Sequence, residues 1–163
     1  MSDRTWDPLP TTMSISMPPI HLILIPLPVA SLLAALATDV VYWVTYDPLW
    51  AQVSLWLVAA GLVTGPTAGV VGLIDFMNME HAEPAIAGWV HIIGMATTLL
   101  VTLLSFLLRS TDPAGVILPW GMLLSAITTV LLGLGAWYGG MLAYRRVVLA
   151  ARENGSRVDN PYQ

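Results

Sequence analysis

Of the ionisable side chains within or beside long apolar runs, five are candidates for chemistry: His21, Asp39, Asp75, His81 and His91. A carboxylate or imidazole in hydrocarbon is costly, so such residues face a bundle interior, find a partner or mark a functional site. If the first and third apolar runs start from the same side of a membrane, His21 and His91 fall in the same half of it. In an up-down four-helix bundle those two helices are parallel and diagonal. Two inward imidazoles then face each other across the core, which is the arrangement of a bis-histidine b-type haem. Gly72, Gly88, Gly94 and Gly140 leave room between them. Asp75 closes the second run on that side, where it is placed to orient an imidazole, while Tyr144, Arg145 and Arg146 at the same end of the fourth run suit the propionates. A second reading takes His21, Asp75, His81 and His91 as a mixed nitrogen and oxygen site for a divalent metal, with His21 and His91 as its firmest ligands. The loop position of His81 counts against a preformed cage. The plainest reading is that a histidine near a helix end caps or snorkels. Asp39 lies towards the opposite end of the first run and is suited to a structural hydrogen bond with Ser54 or Thr102.

The elements that must position these groups follow from composition. Of 163 residues, 56% are hydrophobic and 10% charged, and the mean hydropathy is +0.75; soluble domains carry about a quarter charged residues. Four apolar stretches, 20–45, 51–77, 85–108 and 116–143, each exceed the roughly 20 residues that span a hydrocarbon core. Tyr46-Asp47-Pro48, 78–84 and 110–115 punctuate them with turn formers and are too short to hold a domain. The sequence therefore predicts an all-α membrane protein, an antiparallel up-down four-helix bundle over residues 19–150, with a polar arm at 1–18 and a polar tail at 151–163. Ala35-Leu36-Ala37 resembles a signal-cleavage site, but the eighteen-residue leader carries Asp3 and Asp7, so the first run is read as a structural helix.

All six basic residues are Arg, and the net charge is −4, which leaves no basic surface for nucleic acid. Arg4, Arg145, Arg146, Arg152 and Arg157 share one side with both termini, against Arg109 on the other. The positive-inside rule then puts both termini in the cytoplasm. Trp43, Trp50 and Trp120 mark the far interface and Trp89 the near one. Cysteine is absent, which excludes disulfides, thiol nucleophiles and iron–sulfur clusters. No phosphate loop, nucleophile elbow or His-Glu-x-x-His is present, so catalysis is not expected.

Close helix packing in lipid falls to small and weakly polar residues. In the second helix Ser54, Val58, Gly61, Gly65, Ala68, Gly72 and Asp75 form such a stripe. In the third it is Gly88, His91, Gly94 or Met95, Thr98, Thr102 and Ser105, and in the fourth Ser125, Thr129, Gly133, Ala136, Gly140 and Tyr144. Pro26, Pro28 and Pro66 each remove a backbone donor, so kinks are expected there.

The run Pro19-Ile20-His21-Leu22-Ile23-Leu24-Ile25-Pro26-Leu27-Pro28, with Thr38-Asp39, Tyr42-Trp43, Gly72-Leu73-Ile74-Asp75-Phe76, Trp89-Val90-His91 and Gly140-Met141-Leu142-Ala143-Tyr144-Arg145, resembles the predicted membrane proteins called domain of unknown function 2231. The likeness spans residues 19–150. It implies four helices, an early His, an Asp closing helix 2, a His in helix 3 and a Tyr-Arg ending helix 4. Many members carry further histidines where this chain has Pro26 and Arg146, so His21 and His91 remain as the matching pair. The layout is similar to small cytochromes b. The expected function is passage of electrons through one b-type haem within a membrane redox system, with lipid and a redox partner or a second copy of the chain as partners. A non-haem scaffold subunit or a small-solute or metal transporter is the alternative.

Overall fold

The computed structural model describes residues 23–77 and 86–159, and His21 and His81 lie outside them. The elements are α1 (Pro26–Thr45), α2 (Pro48–Met77), α3 (Ile86–Thr111), a short α4 (Pro113–Val116) and α5 (Met122–Asp159). Four segments are long and apolar enough to cross a membrane: Pro26–Thr45, Pro48–Ile74, Gly88–Thr111 and Pro113–Met141. The chain is thus an all-helical membrane protein, as its hydropathy predicts. α1 packs chiefly on α2 and α3 on α5, and α2–α3 and α1–α5 contacts close a ring of four. α1 and α3 stand diagonally across it.

Local chemistry sets the ends. Tyr46 takes a left-handed conformation (φ 55°) and its N–H caps α1 on the Tyr42 carbonyl. One residue later the Asp47 carboxylate accepts from the Leu49 N–H at 2.9 Å, and Pro48 opens α2. Ile23 and Leu24 are helical and Ile25 is a turn, so the helical path breaks immediately before Pro26 and α1 starts afresh from it. Pro26 begins the helix, so both prolines fall in the first turn, where backbone N–H groups have no intrahelical acceptor to lose. Pro66 alone stands inside a helix, on an exposed face of α2.

The connection after α3 is more structured than a loop. α3 runs to Thr111, and the Asp112 side chain caps α4 by accepting from the Gly115 N–H at 3.0 Å. Leu118 is extended (φ −107°, ψ 121°), so Ile117–Gly121 is a kink that re-aims the chain into α5. α5 continues to Asp159, through most of the segment whose polarity alone marks it as a tail.

Candidate functional site

The small-residue stripes predicted for the second and third helices are the packed faces. In α2, Ser54, Val58, Gly61 and Ala68 are buried; in α3, Gly88, Thr98, Thr102 and Ser105 are. A Cβ on Gly61 would stand 2.6 Å from Leu32 Cδ2 of α1, and one on Gly65 2.7 Å from Leu99 Cδ2 of α3. Glycine at these two sites is what lets the helices approach.

The stripe predicted for the fourth helix is displaced. Ser125 is buried, but Gly133, Ala136, Gly140 and Tyr144 are exposed, and the packed positions are instead Gly121, Ser125, Thr128, Leu132 and Gly135. The kink fixes this phase. It turns the Gly121 carbonyl and the Ser125 hydroxyl onto Arg109, and every later residue of α5 follows from that anchor.

His91, half-buried on α3, is seated against its neighbour α5. Its Nδ1 lies 2.8 Å from the Gly135 carbonyl oxygen. A carbonyl only accepts, so Nδ1 carries a proton and donates, and in the neutral ring the lone pair is then on Nε2, which has no partner among the described residues. The ring rests on Gly139, where a Cβ would approach Cε1 to 3.1 Å and Nδ1 to 3.2 Å. This is the arrangement in which a ligating imidazole is held: one nitrogen tied to a backbone carbonyl, the other free to coordinate. Tyr144 is 71% exposed. Asp75 is in the last turns of α2, and Arg145 and Arg146 are in α5; their side chains, like all of His21 and His81, lie outside the described residues. Among the described residues no three His, Asp or Glu gather as metal ligands.

A second polar centre lies about 27 Å along α3 from His91, at eighteen residues of 1.5 Å rise. Arg109, which the charge count sets apart on the side away from the termini, is completely buried, and so is Asp39. The guanidinium grips the carboxylate with both arms, Nη1 to Oδ1 and Nη2 to Oδ2, each at 2.7 Å. Nε donates to Ser105 Oγ at 3.1 Å, Nη1 also to Ser54 Oγ at 2.5 Å, and Nη2 also to the Gly121 carbonyl at 2.7 Å and Ser125 Oγ at 2.8 Å. The Ser54 and Ser125 hydroxyls in turn donate to Asp39. The predicted Asp39–Ser54 bond is therefore present, whereas Thr102 bonds the Thr98 carbonyl of its own helix. All five guanidinium N–H groups are used, and both carboxylate oxygens accept from two donors each. A charge pair in this environment persists only when it is saturated in this way.

The signal for Arg109 was in the sequence. It stands four residues after Ser105, on the continuation of the α3 stripe. Beside this centre a crevice lined by Leu32, Ala35, Val58, Thr102, Ser105, Ser125 and Thr128 has no room for a water molecule.

Neither curated proteins nor solved structures give a match to the chain. A family described as predicted membrane protein, domain of unknown function 2231, matches residues 17–152. That span takes in all four membrane-crossing helices, the Asp39–Arg109 centre and His91, and the chain belongs to this family of membrane proteins.

Proposed function

We propose that this protein is a b-type haem carrier of a bacterial inner membrane, with both termini cytoplasmic, passing electrons to a redox partner or between copies of the chain. The observation that supports this reading is the state of His91: its Nδ1 proton is committed to the Gly135 carbonyl, so a lone-pair Nε2 is available for a metal. His91 would supply one nitrogen ligand to such a group. On this reading His21, which precedes α1 in the sequence, would supply the second nitrogen ligand, with Asp75 for orientation and Arg145 and Arg146 for the propionates, while Tyr144 is exposed. A bound haem would supply one-electron chemistry at the His91 end of the bundle. The chain's own part is to fix the imidazole tautomer through Gly135 and to hold the ring flat through the missing side chain of Gly139. Five of six Arg on the side of the termini support the orientation.

A non-haem scaffold subunit is the second reading, favoured by the saturated Asp39–Arg109 centre, which ties helices together and presents no free group to a solute. The tightness of the neighbouring crevice argues against transport through a single copy. The deciding experiment is a visible spectrum of protein purified from haem-replete cells. A Soret band that disappears in His91→Ala supports the carrier. A parent protein with no Soret band, or a His91→Ala variant with an unchanged one, overturns it and leaves the scaffold.

A further inference from the structure

The Asp39–Arg109 centre joins two halves of the molecule. Asp39 and Ser54 belong to the α1–α2 hairpin; Arg109, Ser105 and Ser125 belong to α3 and α5. Each half taken alone would carry one unpaired charge into hydrocarbon. Nothing in the cluster is left over for a ligand, because every donor of the guanidinium has an acceptor within the chain.

The cluster is also covered. Tyr42 lies three residues beyond Asp39 and Ala51 three before Ser54, so each stands one helical turn nearer the end of the bundle than its polar neighbour, and Ile117 opens the kink that ends at Gly121. These three form a buried apolar cluster, with Trp50, Ala114 and Leu118 packed against it. The Tyr42 hydroxyl donates to the Ala114 carbonyl at 3.0 Å, which ties α1 to the α4 segment. Gly121 completes the fit. A Cβ there would meet Arg109 Nη2 at 3.1 Å and Cζ at 3.2 Å, so glycine lets the guanidinium lie against the backbone of the kink and any side chain must push it aside.

We propose that Asp39 and Arg109 are a latch holding the two halves together at this end of the bundle, and that residues 113–121 are the seal that keeps it dry. The latch closes only when both halves are in place, since each half brings one charge. The seal strengthens it by excluding water, which would otherwise compete for both ions.

The absence of cysteine allows a direct test in the full chain in native membranes. Thr128, 3% exposed and lining the crevice one turn from Ser125, is replaced by Cys as the reporter. Labelling with N-ethylmaleimide is timed, because the thiolate that reacts needs water. Asp112→Cys, at an exposed position, is the control for inserted, reactive chain. The Thr128→Cys thiol is expected to be protected in the otherwise unaltered chain. It is expected to react at least tenfold faster when Ile117→Ser opens the seal, when Gly121→Val displaces the guanidinium, or when Arg109→Leu removes one side of the latch. If Arg109→Leu does not accumulate, Gly121→Val decides, since it keeps every charge. Protection unchanged in Gly121→Val or in Ile117→Ser overturns the proposal, as does rapid labelling of the parent.

Discussion

Replacing Arg109 by Leu leaves Asp39 as a buried carboxylate with its two strongest donors removed, whereas replacing both leaves an apolar contact. Breaking one side of a buried pair costs about 3–5 kcal/mol, while replacing the whole pair by well-packed apolar groups is often near neutral. Arg109→Leu is therefore expected to unfold in detergent with a stability loss of that order, and Asp39→Leu with Arg109→Leu to recover much of it. A double variant as unstable as the sum of the singles would show that the two residues act separately. Ser125→Ala, which removes one hydrogen bond from each ion, is expected to cost about 1–3 kcal/mol. At the other centre, adjacent glycines separate the roles. Gly139→Leu collides with the His91 ring, whereas Gly140→Leu enters open space. On the haem reading, Gly139→Leu weakens or shifts the Soret band and Gly140→Leu leaves it in place; equal effects would show that the ring does not rest on α5.

The helix faces differ in how much a side chain is resisted. A Cβ on Gly61 meets two atoms of Leu32 within 2.7 Å, and a Cβ on Gly65 meets only the terminal methyl of Leu99 at that distance. Gly61→Leu is thus expected to destabilise the bundle more than Gly65→Leu, because Leu32 is itself buried and has nowhere to turn. Gly133 has nothing within 4 Å, so Gly133→Ala is expected to be neutral or to gain up to about 1 kcal/mol from helix propensity. Thermal midpoints of the three variants in one detergent check the order, and a loss at Gly133 equal to that at Gly61 would contradict the phase of α5. That phase illustrates what the sequence leaves open. Positions 125, 129, 133, 136, 140 and 125, 128, 132, 135, 139 both recur at helical spacing, and both are rich in small residues. The residue that chooses between them, Arg109, lies on another helix.

At the scale of the molecule, the distribution of charge is the main asymmetry. Burial of Arg109 against Asp39 neutralises that Arg, so Arg145, Arg146, Arg152 and Arg157 of α5 stand without a counterweight at the other end. A reporter fused to the C-terminus is expected to show no alkaline phosphatase activity and to fluoresce as a cytoplasmic fusion, and phosphatase activity there would reverse the orientation. Replacing Arg145, Arg146, Arg152 and Arg157 together by Gln is expected to produce mixed orientation in the same assay. The two polar centres fall at opposite ends of α3, so the latch and the imidazole can be varied independently. Changes at Asp39 are expected to alter stability without abolishing the His91-dependent spectrum.

The sequence by itself determined the number of helices, their antiparallel order and the inner faces of α2 and α3. Hydropathy over some 20 residues and small side chains at every third or fourth position are local, one-dimensional properties that lipid enforces on each helix separately. It also offered Ser54, across a single tight turn, as one of two partners for Asp39, and the structure chose it over Thr102. The sequence puts Arg109 on the continuation of the α3 stripe, but tertiary structure supplied its partner, because the carboxylate lies 70 residues away. Tertiary structure likewise decided the face that α5 turns inward, the seating of His91 on Gly135, and the folding of residues 113–121 over the charge pair. Each of these depends on a contact between distant parts of the chain. In hydrocarbon such a contact is selected by the need to saturate charges and backbone groups, a requirement that no single helix can meet from its own residues.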